Sequence, residues 1–453
     1  MSKVSINQDT PLFHLAWPIF IETLLFMVMG NIDTFMLSHY SDLSVAAVGN
    51  ANQMLGSLMI LFNVATAAAG VMVAQYLGAK EYGALNRIYS LALWSNVGLA
   101  AILSALFIGF KSVIYSAMQL PSELLVDTNN YATTMVWALP MSAAYMVLST
   151  IHKNHGMTRL TMQIAIVINI LNIIGNYIFL YGPFGLPIIG VQGVALSTVI
   201  SRSLGLVALL VSMAMTIKGS VSIRNLWPFP KELAKRFFHI GLPSAAEPIS
   251  FQFSQVFIFA MINTLGTASI TARLYASMVV MFTYLFALAI AQATQILTGH
   301  LVGAQRYDEA QKRVWQSLKK AWAATLTMSV ITVLFRFQIL GVFTDNPEII
   351  ALGAAVLLVD LFLEWGRATN ITLIFSMRSA GDVHFPVIVG VISMWGISTL
   401  GAYLLGIHWG YGLVGIWMAM AVDEMSRGVI MVWRWRSGKW KGKRIVPMGA
   451  ENR

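Results

Sequence analysis

The strongest constraint on this chain is that it is written twice. His14, Pro18 and Glu22 (HLAWPIFIE) return as His239, Pro243 and Glu247 (HIGLPSAAE), displaced by 225 positions with the His-x3-Pro-x3-Glu spacing kept. The same displacement carries Gly78-Ala79 and Tyr82 onto Gly303-Ala304 and Tyr307, Gly156 onto Gly381, and Ser201-Arg202 onto Ser426-Arg427, without a gap. An ungapped register over this length marks a duplicated unit, so the two halves must share one fold.

The medium of that fold follows from composition. Of 453 residues, 57% are hydrophobic and 11% charged, and the mean hydropathy is +0.71, outside the range of soluble domains. Apolar runs of roughly 20 residues, the length that crosses a hydrocarbon core, follow one another from Leu12 almost to Trp433. They predict an all-α polytopic membrane protein with twelve transmembrane helices, at about 12–37, 43–77, 88–110, 129–151, 160–181, 190–217, 237–265, 270–302, 314–335, 349–375, 385–405 and 412–433. Pro140 should kink the fourth. The first run carries Glu22 and leads straight into the second, so it is expected to be retained as a helix rather than cleaved as a signal peptide.

The polar, basic stretch Lys218–Lys235, with Pro228 and Pro230, reads as the linker. The predicted organisation is a six-helix bundle at 1–217, a cytoplasmic linker at 218–235 and a second six-helix bundle with a basic tail at 236–453. Six is even, so both halves enter from one side and are related by an axis along the membrane normal. The net charge of +10 resides mostly in alternate loops and at the termini, which predicts a cytoplasmic-membrane protein with both termini cytoplasmic. The tail Arg434–Arg444 (RWRSGKWKGKR) then reads as an anchor on anionic membrane lipid rather than a nucleic-acid site. The absence of cysteine excludes disulfides and thiolate metal sites.

Ionisable groups inside a span cost at least about 2.5 to 3.5 kcal/mol on insertion scales and mark candidate function. Glu22 and Asp33 stand eleven residues apart, close to three helical turns, and share one face of the first span. Glu247 follows Pro243 by four residues, and Pro248 removes a further backbone donor, so local unwinding is expected there. Asp360 and Glu364 are at i, i+4 with Arg367 three residues on, and Asp423 and Glu424 precede Arg427. Internal pairing is the competing reading for Glu364 with Arg367 and for Asp423, Glu424 and Arg427. Asp33, Glu247 and Asp360 have no basic residue at i±3 or i±4 and read as functional.

There is no GxxxxGK[ST] loop, no HExxH and no GxSxG, so the chain is not read as an enzyme and no cofactor is expected. Transport would run on an H⁺ or Na⁺ gradient, with Na⁺ able to sit at Asp33 or Glu247 and no other metal. A passive channel fits less well, because acids at different depths on breakable paired helices suit alternating access.

With PIFIE (18–22) and NIDTFMLS (31–38), Ala46-Ala47-Val48-Gly49, the Gly78-Ala79 loop, Leu180-Tyr181-Gly182 running into GVQGVA, Gly241-Leu242-Pro243, Val302-Gly303-Ala304 and SMRSAGDVHFP (376–386), the chain resembles the multidrug and toxic compound extrusion (MATE) family over nearly its whole length. The resemblance implies two six-helix bundles forming a V around a central cavity that faces cytoplasm and exterior in turn. It implies that Asp33, fifteen residues after Pro18, is the first-helix acid, and that Asn172 is a family asparagine. Asn176 stands where many members have Asp, so a mechanism needing that carboxylate has none here. Glu247 lies four residues after its Pro, as in some members, and Trp365 follows Glu364 where related sequences often have Pro. The implied function is efflux of amphipathic, cationic organic small molecules in exchange for H⁺ or Na⁺. Asp33, Glu247, Asp360, Glu364 and Glu22 would serve coupling or substrate contact, with Asn172, Asn176 and Arg367 as polar cavity groups and Pro18, Pro243 and Pro248 as bending points. Partners are small-molecule substrates and membrane lipid, and the protein is expected to act as a monomer. The alternatives are a flippase of an amphiphilic lipid-linked molecule and an exporter of an organic anion such as a flavin.

Overall fold

The computed structural model describes residues 10–447; residues 1–9 and 448–453, the outer ends of the two predicted bundles, lie outside the described residues. Among the described residues the chain is helical with no strand. In hydrocarbon each backbone N–H and C=O must be satisfied within its own segment, and helices do this. The α-helices are α1 Leu12–Ser38, α2 Asp42–Gly78, α3 Leu85–Ala117, α4 Leu125–Trp137, α5 Leu139–Asn154, α6 Thr158–Tyr181, α7 Val191–Ser212, α8 Lys231–Asn263, α9 Thr267–Gly303, α10 Tyr307–Leu334, α11 Arg336–Gly341, α12 Pro347–Ser379, α13 His384–Ser393 and α14 Gly412–Arg436. After α13 the chain continues as two π-helical stretches, Met394–Thr399 and Ala402–His408.

Nine of the described helices are long and apolar enough to cross a membrane, or ten if the bent segment 122–154 is one span. The other two predicted spans are helical, but Lys319 and Lys320 in α10 and Asp423, Glu424 and Arg427 in α14 make them less apolar. The expected twelve are therefore not reached on that measure.

Proline acts differently at different places. Pro140 lies in the first turn of α5, where its missing N–H has no helical partner to lose; α4 and α5 meet at 48°, at the predicted kink. Pro18 lies inside an unbroken α1, and Pro243 and Pro248 lie inside an unbroken α8. The unwinding expected after Pro243 is thus not present. Each of these prolines removes one backbone bond, and the packing of neighbours such as buried Ser244 and Ala245 holds the helix through the gap.

The chain forms two compact units. The first contains Ile21–Val73 and Glu81–Gly241; the second contains, among the described residues, 10–20, 74–80 and 242–447. The start of α1 and the end of α2 therefore belong with the second half of the sequence. The linker is part of the first unit: Asn225 Nδ2 donates to Ser90 Oγ at 2.9 Å, and Trp94 Nε1 donates to the Val221 carbonyl at 2.9 Å. In this unit α7 packs on α4, α5 and α6, and a Cβ added to Gly193 would stand 2.3 Å from Phe179 Cβ, so the small residue lets α6 and α7 approach closely.

In the second unit α12 packs against α9, α10 and α14. The ends of α2 and α9 cross here at bare backbone. A Cβ on Gly78 would stand 2.0 Å from the His300 carbonyl oxygen, and one on Gly303 would stand 2.0 Å from that of Gln75. His300 and Gly303 are Gln75 and Gly78 displaced by 225, so the duplication appears as a reciprocal contact. The basic tail is also docked in this unit. Trp435 and Trp440 are fully buried and stacked with centroids 4.0 Å apart, while Arg434 Nε and Lys443 Nζ donate to Asp382 at 2.8 and 3.0 Å. Trp435, Trp440, Arg434 and Lys443 thus pack on protein, and Asp382, in the turn after α12, supplies the counter-charge of the two basic groups.

Candidate functional site

In the first unit, the face shared by Glu22 and Asp33 turns inward, and both carboxyls are buried. Asp33 Oδ1 accepts from Asn176 Nδ2 at 2.5 Å. Asn176 and Asn172, one turn apart on α6, are linked side chain to side chain at 3.5 Å, and Asn172 Nδ2 donates to Thr198 Oγ1 of α7 at 3.0 Å. Ser197 Oγ holds the Asn172 carbonyl at 2.8 Å. Three helices thus fix one carboxylate through neutral amides and hydroxyls. Among the described residues Asp33 forms no salt bridge within 4.0 Å.

Glu22 is held differently. Its Oε1 accepts from Ser149 Oγ at 2.8 Å and from Lys153 Nζ at 3.2 Å, both on α5, and its Oε2 accepts from Thr161 Oγ1 of α6 at 2.7 Å. The carboxylate is saturated and paired. Its duplicate, Glu247, is paired in the same way: Arg378 Nη2 donates to Glu247 Oε2, and Arg427 Nη1 lies 3.9 Å from Oε1. Arg378 is Lys153 displaced by 225.

Around Glu247 the second unit builds a charged network that the first unit lacks. Arg427 Nη2 lies 2.6 Å from Asp423 Oδ2 and 3.0 Å from Glu424 Oε1. Arg367 pairs with Glu364 and stands 3.7 Å from Glu424. Asn370 Nδ2 donates to Glu424 at 2.9 Å, and Ser393 Oγ donates to Asp423. Asp360, one turn before Glu364, accepts from Trp417 Nε1 at 3.0 Å. Five carboxylates therefore face three guanidiniums (Arg367, Arg378 and Arg427), leaving a formal excess of two negative charges if all are ionised. A cavity of about 10 Å³ beside Arg367, Asp423, Glu424 and Arg427 has room for about one water molecule. Among the described residues no group of three or more His, Cys, Asp or Glu is arranged to share a metal ion.

The structure brings Asp33, Asn172 and Asn176 together, and separately Glu247, Glu364 and Arg367, with Asp360 alongside. Of the groups that hold these acids, sequence reasoning missed Lys153 and Arg378, and it set Asp423, Glu424 and Arg427 aside as packing. Glu247 has no basic neighbour one turn away on its own helix; its partners come from α12 and α14. The signal that could have found Lys153 and Arg378 is the 225 displacement itself, since both are basic and both face a duplicated Glu.

The MatE family model matches residues 18–178 and 243–404, one match in each half. An uncharacterized transporter, YisQ of Bacillus subtilis, is 38% identical over 438 residues, covering 97% of this chain and 96% of the relative. The multidrug resistance protein NorM of Vibrio cholerae is 28% identical over 444 residues, 94% of each chain. Among solved structures, the Vibrio cholerae MATE transporter VcmN in its bent form superposes with a TM-score of 0.87 at 17% identity, over 95% of this chain and 97% of that one. A MOP superfamily transporter from Pyrococcus furiosus gives 0.85 at 18%, over 96% of each.

Proposed function

We propose that this chain, which belongs to the MATE family, is a secondary active efflux transporter that exchanges inward-moving H⁺ or Na⁺ for outgoing amphipathic organic molecules carrying a cationic group. The curated relatives named as multidrug resistance proteins support the substrate class. The observation that carries the coupling is Asp33: a buried carboxylate with no salt bridge, held by an amide that can also bond the neutral acid. Burial disfavours its charge, so a proton or Na⁺ can discharge it, and the cation bound there then loses its counter-charge. Glu247, Asp360 and Glu364 are the second coupling candidates, within a network whose arginines already take up part of their charge. Pro18, Pro243 and Pro248 are bending points where a missing backbone bond lowers the cost of a change in helix shape. The protein works in the cytoplasmic membrane with both termini cytoplasmic, as a monomer, without a cofactor.

Uptake of a fluorescent organic cation into proteoliposomes, driven first by a proton gradient alone and then by a Na⁺ gradient alone, tests the reading. One gradient should drive it and the other should not. No uptake under either gradient, with lipid scrambling in the same vesicles, would replace efflux with flipping.

A further inference from the structure

The stretch 218–236, the linker with the first turn of α8, carries five basic residues (Lys218, Arg224, Lys231, Lys235 and Arg236) against one acid, Glu232. In the tail, Arg434 and Lys443 meet Asp382, and Lys441 meets Asp308. In the linker, Lys218, Arg224, Lys231 and Lys235 are all exposed, and none forms a salt bridge with any described residue. Among these charges stand three exposed apolar side chains, Ile223 at 60%, Trp227 at 85% and Phe229 at 54%. Trp227 is the most exposed large apolar side chain among the described residues.

The contacts that hold this stretch to the protein are polar. Asn86 Oδ1 accepts from the Ser220 N–H at 2.9 Å, Ser90 Oγ accepts from Asn225 Nδ2 at 2.9 Å, and Trp94 Nε1 donates to the Val221 carbonyl at 2.9 Å. Asn86, Ser90 and Trp94 are spaced i, i+4, i+8, so they form one stripe along the first turns of α3. Ser90 and Trp94 fall inside the third predicted span, in a helix long and apolar enough to cross a membrane, and Trp94 lies about 14 Å along that helix from Leu85. The linker is therefore laid along a spanning helix at the level where it enters the bilayer, and its polar groups are spent on α3 while its apolar and basic side chains are left outward.

We propose that the linker is a membrane-interface anchor: Ile223, Trp227 and Phe229 enter the boundary between headgroups and acyl chains, and Lys218, Arg224, Lys231 and Lys235 bind anionic phospholipid. Aromatic rings settle at headgroup level, with an apolar body and a wet edge, and basic residues beside them are drawn to an anionic leaflet. A segment of this kind needs both signals, since a few inserted side chains or a few charges alone hold weakly. The proposal goes beyond the efflux reading and does not rest on it.

The chain has no cysteine, so one nitroxide can be attached at Ile223→Cys or at Phe229→Cys with Trp227 kept. The labelled full-length protein is placed in nanodiscs of phosphatidylcholine alone and of an equimolar mixture with phosphatidylglycerol. Both leaflets then have the same composition, and the orientation of the protein does not enter. Power saturation compares collisions with oxygen, which partitions into the bilayer, and with a water-soluble nickel chelate. Both labels should lie about 5 to 10 Å into the headgroup–acyl boundary and should move deeper in the mixture. Lys218→Gln, Arg224→Gln, Lys231→Gln and Lys235→Gln combined should abolish that shift and leave the depth in phosphatidylcholine unchanged. Labels open to the nickel chelate in both membranes would place the segment in water and overturn the anchor. Labels closed to both reagents would mean that protein covers it, and a depth that ignores phosphatidylglycerol, or a shift that survives the four substitutions, would overturn the lipid assignment. Gradient-driven uptake is scored separately: its failure with the labels at depth removes efflux and leaves the anchor, and uptake with the labels in water does the reverse.

Discussion

Lys153 Nζ lies 3.2 Å from Glu22 Oε1, and 225 residues further along the chain Arg378 and Glu247 form the same pair. The ion pair is thus part of the duplicated plan, present in both units at equivalent positions. A carboxylate left alone in such surroundings is far more costly than one that is paired.

That cost sets the first expectation. Lys153→Met should destabilise the protein by about 3 kcal/mol, because Glu22 is left buried and uncompensated. The double variant Glu22→Gln/Lys153→Met should recover most of the loss. Detergent melts of the two single variants and the double variant form a double-mutant cycle, and additive losses would show that the pair is not coupled. Glu247→Gln with Arg378→Met should behave alike.

The hydrogen-bond partner of Asp33 is a neutral amide, Asn176. Asp33→Asn should melt close to wild type, since an amide can keep the Asn176 bond, yet gradient-driven exchange should fall by about tenfold or more, equal to about 1.4 kcal/mol. Full-rate coupled exchange by this variant would remove Asp33 from the coupling step.

At the α2–α9 crossing the obstacle to any side chain is backbone, which cannot swing away. Gly78→Ala and Gly303→Ala should each cost towards the upper end of about 1 to 3 kcal/mol, and by similar amounts, because each glycine meets the carbonyl of the other's neighbour three residues back. Apparent melting temperatures of the two variants compare them directly. A drop in only one would contradict the reciprocity.

Trp440 and Asp382 hold the tail down. Trp440→Ala should destabilise the tail by about 3 kcal/mol, and both it and Asp382→Asn should open Lys439, Lys441 and Lys443 to trypsin. Limited digestion read by mass spectrometry checks this. Rapid cleavage of the wild-type tail at those lysines would mean that it does not rest on the protein.

The sequence by itself determined the medium, the helical class, the duplication and the identity of the acids worth attention. These are local or periodic properties: a run of apolar residues is a span whatever lies beside it, and a displacement of 225 is visible without any fold. The kink at Pro140 was legible for the same reason. What only the tertiary structure decided is which charges are already answered. Glu247 looked free in its own helix and is gripped by arginines 131 and 180 positions away in the chain; two basic groups of the tail find their counter-charge at Asp382; α8 continues unbroken past two prolines. The same long-range packing left Asp33 with an amide and the Arg202 Nε–H without an acceptor among the described residues. Desolvation makes each buried charge depend on whatever group lies within a few ångströms, and that neighbour comes from another helix, at a distance along the chain that no local pattern records.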